Sequence, residues 1–306
     1  MAEWLYEAGI GEARAALVED GAILKARIEL PGLRAGTIVQ GRLRADNRVE
    51  LADGEVLIDR APVPQGSLIT VRITREAIPE PGRAKLAKAI VTDEAPAAGP
   101  DLLARITATG IPVRQPRTHE PDLLEQAGWS EILEEATSGE IAFSGGALRM
   151  AVTPAMTLFD VDGSTPPGQL ALAAARAVAQ TVERHGIAGS IGIDFPTLAN
   201  KAARLAVADA IDATLPQPFE RTNVNGFGFL QIVRRRTRAS LPELLRADPA
   251  GADARAELRR LERLLPPLPA SHMVSRHVLQ RPDWTAELAR RIGGTIELKE
   301  KPSGQA

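Results

Sequence analysis

Residues 155–163 read AMTLFDVDG and residues 188–195 read AGSIGIDF, with a helix-compatible run between them. Two short apolar runs, Met156 to Val161 and Ser190 to Ile193, end on acids: Asp160 with Asp162, then Asp194. Runs of this kind are expected of strands covered on both faces. Between them Ala171, Ala174, Val178 and Val182 share one face of a helix over residues 168–185. Pro166 and Pro167 suit its first turn and Gly186 its end. A strand, crossover helix and strand in one sheet are parallel, usually adjacent and right-handed. Asp160 and Asp194 are therefore expected side by side at the carboxyl ends of neighbouring strands, where open α/β sheets bind ligands. Carboxylates that close repel unless a proton or cation sits between them, and a hard divalent ion such as Mg²⁺ resolves the conflict. The competing reading, acids solvated in loops at strand ends, is weakened by the second acid at the end of a second apolar run.

The whole chain has 306 residues, enough for two or three compact units, with 44% hydrophobic and 25% charged residues, as in ordinary globular proteins. A formal net charge of −2 does not mark a nucleic-acid binder, so any electropositive surface must be local. The obvious candidate is Arg234, Arg235, Arg236 and Arg238. The chain has no cysteine, which excludes disulfides and thiolate-bound zinc. Its start, MAEWLYEAGIGEAR, lacks the basic and apolar segments of a signal peptide, and no apolar run is long enough to span a membrane. A cytoplasmic protein is the expectation.

Three stretches carry a resemblance. SGGALRMAVTPAMTLFDVDG (144–163), SIGIDF (190–195) and NVNGFGFLQIVRRRTRASL (223–241) resemble, in order, the catalytic core of the ribonuclease E/G family. The resemblance is specific over residues 144–241. It implies that Asp160 and Asp194 hold Mg²⁺, with Mn²⁺ as a substitute, for RNA hydrolysis. Asp162 stands where the family has asparagine, keeping an oxygen ligand and adding a charge. The resemblance also implies an RNase-H-like subdomain (1–32 with 94–150) and an inserted OB-type RNA-binding barrel (33–93). A DNase-I-like α/β catalytic core (151–245) and a small α/β C-terminal domain (246–306) complete the mixed α/β layout. The family's zinc-link cysteines are missing, so any oligomer is not zinc-linked. No 5′-end sensor motif is found over residues 102–139, and the loop after Asp162 is shorter than the family's.

The residues along the chain fit this order. Glu19-Asp20-Gly21 signals a hairpin between early strands, and five short β-type runs over residues 35–91 suggest a small barrel. That barrel offers Arg42, Arg44, Arg72, Arg75, Arg83, Lys85 and Lys88 for RNA backbone contact. It has no aromatic residue from Leu33 to Val91, where base stacking would be expected. Helices are expected around Leu123 to Ala136 and Leu198 to Leu215, then an amphipathic one ending near Leu265. Phe219 to Asn225 and Phe229 to Arg234 are expected strands flanking a Gly226-Phe227-Gly228 turn. The second would deliver the arginines beside the acids as a phosphate clamp. His119 has no partner in metal-ligand spacing and reads as a loop histidine. The expected activity is Mg²⁺-dependent endonucleolytic hydrolysis of single-stranded RNA to 5′-phosphate and 3′-hydroxyl ends. The alternatives are a catalytically degenerate RNA-binding protein of the same fold and a metal-dependent phosphoesterase acting on small substrates.

Overall fold

In the computed structural model, which describes residues 1–60, 63–80 and 84–302, the chain starts with an antiparallel meander. Its strands are β1 (Glu3–Ala8), β2 (Ala13–Glu19) and β3 (Ala22–Glu29). Asp20 and Gly21 both take positive φ, 51° and 78°, as a two-residue hairpin turn of matching twist requires. Five strands follow: β4 (Ile38–Leu43), β5 (Arg48–Leu51), β6 (Gly54–Ile58), β7 (Leu68–Arg75) and β8 (Ala87–Val91). They close in the order β4-β5-β6-β8-β7, a five-strand barrel consistent with an OB-like element, around Leu43, Val49, Val56, Val71 and Ile73. After the barrel come α1 (Leu102–Thr107) and β9 (Val113–Arg114), which pairs in parallel with β1. The barrel is thus inserted between strands of one sheet.

Short helices α2 (Leu123–Gln126) and α3 (Trp129–Ser138) lead into a second sheet. Its strands are β10 (Glu140–Phe143), β11 (Gly146–Val152), β12 (Thr157–Gly163), β13 (Gly189–Asp194), β14 (Glu220–Arg221) and β15 (Phe229–Arg234), in the order β10-β11-β12-β13-β15-β14. Helix α4 (Pro167–His185) makes the crossover from β12 to β13, with Pro167 in its first turn and Gly186 left-handed at its end. Helix α5 (Lys201–Thr214) connects β13 toward β14 and β15.

The expectation of strands covered on both faces is corrected. Within this six-stranded sheet only β12 and β13 are parallel, so it has a single crossover; β15 returns antiparallel to β13, and α5 packs beside α4 on the same side. One face therefore buries Met150, Phe159, Ile193 and Leu230 against the alanine-rich α4, each large side chain contributing about 1.5–3 kcal/mol. The other face is open at the acids: along β12 the buried Thr157, Phe159 and Val161 alternate with half-buried Leu158 and exposed Asp160. The expected strand over Phe219 to Asn225 shrinks to Glu220–Arg221.

The C-terminal part holds α6 (Leu241–Ala247), α7 (Pro249–Glu262), β16 (Ser271–Val274), α8 (Arg276–Leu279), α9 (Pro282–Ile292) and β17 (Glu297–Glu300). The amphipathic helix expected around Leu258 and Leu261 is α7, while the stretch before it, which reads as a Pro/Gly/Asp-rich connector, forms α6; the two part at Asp248 because Pro249 disfavours helical geometry in the residue before it. This part docks on the β1–β2 turn. Ile10 joins the core of Leu258, Leu261, Val274, Trp284 and Leu288, and a Cβ on Gly11 (φ 75°) would lie 2.5 Å from the Trp284 ring.

Candidate catalytic face

Strand register builds the site. Asp160 on β12 pairs with Asp194 on parallel β13, so the two carboxylates are direct neighbours, as the sequence predicts. The row extends both ways: Glu140 pairs with Arg149, Arg149 with Asp160, and Asp194 with Phe229. In-register neighbours share a face, so Glu140, Arg149, Asp160, Asp194 and Phe229 form one line across the open side. Asp162 lies two residues beyond Asp160 on the same face and is exposed. Its carboxylate forms an ion pair with Arg149 at 3.2 Å, and Arg149 also stands 3.8 Å from Glu140. Among the described residues neither Asp160 nor Asp194 has a hydrogen-bond donor or cationic partner, and no group of three or more His, Cys, Asp or Glu is arranged to hold a metal ion.

The turn before β15 frames this row. Asn225 Oδ1 accepts from the backbone N–H groups of Phe227 and Phe229 at 2.9 and 3.0 Å. Gly228 (φ 97°) packs against the residue after Asp194: a Cβ there would meet the Phe195 carbonyl at 2.2 Å. Phe229 lies over Gly192, whose missing side chain makes room for the ring. Phe227 is left 86% exposed in the turn leading into β15, the most exposed aromatic side chain among the described residues. In the sequence Phe227 reads only as a turn residue, and Arg149 belongs to no motif that marks it. The strict alternation of β11, with Leu148 and Met150 buried, was the available signal for Arg149.

The arginine cluster is not where the sequence placed it. Because β15 runs antiparallel to β13, Phe229 sits beside Asp194 and Arg234 beside Gly189. The cluster is therefore at the opposite end of the sheet, five residues or about 17 Å along the strand. Arg234 turns to the helix side and pairs with Glu183 at 2.6 Å. Arg236 pairs with Glu243, which also closes the capping box of α6 with Ser240. Arg238 stands 3.7 Å from Glu76. Arg235 is exposed, with no acid paired to it among the described residues. On the barrel, Arg44, Arg72, Lys85 and Lys88 pair with Glu50, Glu94, Glu80 and Asp59, while Arg42 and Arg75 bond the carbonyls of Gly66 and Leu86. Arg83 lies outside the described residues. His119 is an exposed loop residue, as expected.

Fold and site together define a mixed α/β protein with an OB-like barrel and an acidic pair on an open sheet face. No family model matches the chain. Over 114 residues, 33% of this chain, it is 31% identical to ribonuclease G of Escherichia coli strain K12 and 32% identical to ribonuclease G of Haemophilus influenzae. The match spans 23% of the length of either relative. The similarity supports a relationship to ribonuclease G over that stretch. No helix among the described residues is long and apolar enough to cross a membrane.

Proposed function

We propose that this protein is a metal-dependent endoribonuclease that cuts single-stranded RNA on the open face of the six-stranded sheet. The observation that carries the proposal is the register of Asp160 with Asp194. Two exposed, unpaired carboxylates on adjacent strands suit Mg²⁺, which is commonly held by one or two carboxylates with the remaining positions left to water and substrate phosphate. Asp160 and Asp194 would hold the ion; Asp162, drawn to Arg149, supports the face's charge balance instead of completing a three-acid cage. When bound, the ion supplies a lowered pKa for an attached water and charge compensation for the phosphate. Attack by water on phosphorus, with the P–O3′ bond breaking and the 3′-oxygen leaving as a hydroxyl, would give 5′-phosphate and 3′-hydroxyl ends.

The chain's own residues do the rest. Arg149, in register with Asp160 and on the same face, would meet a non-bridging phosphate oxygen. Phe229, in register with Asp194, and the exposed Phe227 two residues before it would offer rings on which bases stack, a contact any sequence provides. This assigns stacking to the catalytic face and away from the barrel. Arg235, exposed just beyond the far end of β15, would contact backbone phosphate away from the acidic pair. The similarity to ribonuclease G supports RNA as the substrate. The test is cleavage of an end-labelled single-stranded RNA with Mg²⁺ by the parent and by Asp160→Asn. The expected result is internal cleavage by the parent and a loss of at least a hundredfold in the variant. RNA binding without cleavage by the parent would favour a degenerate binder. Turnover of small phosphodiesters but not RNA would favour a phosphoesterase.

A further inference from the structure

Arg234 and Arg238, turned away from the acidic face, meet Arg27 of β3 and Arg105 of α1 around a cavity of about 230 Å³ on the helix side of the sheet. Glu183 and Thr237 also line it. A second cavity of about 260 Å³, against the barrel, shares Arg105 and Arg238.

The charges there do not balance. Glu183 serves both Lys25 (3.1 Å) and Arg234 (2.6 Å), and Glu29 serves both Arg34 (3.1 Å) and Arg105 (2.6 Å). Glu76 stands off Arg238, whose Nε is buried with no hydrogen-bond partner. Among the described residues Arg27 pairs with no carboxylate. Its guanidinium donates to the carbonyls of Ala26, Glu183 and Arg184, capping the C-terminus of α4. That helix end offsets only about half a charge. Burial, with Arg238, Arg234 and Arg105 nearby and Glu183 opposing, brings the Arg27 pKa down to about 10. Six basic side chains thus gather around three acids. Like charges drawn out of water in this way are costly unless a counter-charge joins them.

We infer that this junction is an anion site for the phosphate group of a small phosphorylated molecule. Guanidinium groups from separate elements, converging on one cavity, match the planar, multi-oxygen geometry of phosphate. The cavity lies on the covered side of the sheet, so it is separate from the open face and independent of the nuclease reading. Its walls come from the first sheet, α1 and the segment after β15, so an occupant ties those parts together.

The test is calorimetric titration of the full chain with inorganic phosphate and with adenosine 5′-monophosphate, in chelator and at constant ionic strength. Without divalent ions, phosphate cannot be held through the acidic pair. Saturable binding is expected, weakened at least tenfold by Arg238→Gln and tightened about threefold by Glu76→Gln, which removes the acid facing Arg238. The gain in Glu76→Gln is a change that a merely damaged fold would not produce. Binding unaffected by either substitution, or no binding of either probe, overturns the assignment. A 5′-phosphorylated oligoribonucleotide is the third arm: if it alone binds through Arg238, the small-molecule class is wrong. If all three bind alike, the phosphate group is what the site holds.

Discussion

Replacing Asp194 with asparagine separates the metal-binding proposal from the activity that depends on it. Asp160 and Asp194 are register partners on adjacent strands, which lie about 4.8 Å apart. At that separation two exposed unit charges repel by about 0.9 kcal/mol in water. A screening length of about 8 Å at physiological salt reduces this to about 0.5 kcal/mol. Without metal, Asp194→Asn should therefore melt about 1–2 °C higher than the parent. With Mg²⁺ at ten times its dissociation constant, the parent gains about 1.4 kcal/mol, worth about 3–5 °C, and overtakes the variant. Differential scanning calorimetry with chelator and with Mg²⁺ reads both effects, and Ca²⁺ serves as a larger, less demanding ion. A variant that melts below the parent in chelator shows that the carboxylate makes a stabilising contact and is not repelled. Equal Mg²⁺ protection of parent and variant would refute the shared ion site, whatever happens to cleavage.

Phe227→Ala should weaken binding of single-stranded RNA by about 1–3 kcal/mol in fluorescence titrations, equally for different sequences and with an unchanged melting temperature; full affinity in the variant would remove the ring from the RNA path. Arg235→Ala should flatten the slope of log K against log salt by about 0.7. Arg234→Ala should instead cost about 1–3 kcal/mol of stability in urea denaturation by leaving Glu183 with Lys25 alone; the reverse pattern would mean the two arginines have exchanged roles. Glu7→Ala should be the most damaging of these changes, at about 3–5 kcal/mol, because it strips a shared carboxylate from Arg14, Arg259 and Arg263 at the docking surface of the C-terminal part. A urea midpoint close to the parent's would show that Glu12 and Asp122 suffice.

The sequence by itself determined the local elements that repeat or punctuate. The period of α4, its prolines and closing glycine, the Asp20-Gly21 hairpin and the five barrel runs all follow from spacing and backbone preference. So does the meeting of Asp160 with Asp194, because a strand, helix and strand admit one arrangement. What only the tertiary structure decided is the direction of β15. An antiparallel return is not written in the strand's own residues, yet it moves Phe229 to the acids and the arginines to the far end. Nor does spacing reveal that Glu183 and Glu76 reach Arg234 and Arg238 across 51 and 162 residues of chain. The open face has the same origin, since exposure depends on which side α5 packs. Local periodicity records what each segment must bury, while the partners of long polar side chains are set by the distant segments that folding brings beside them.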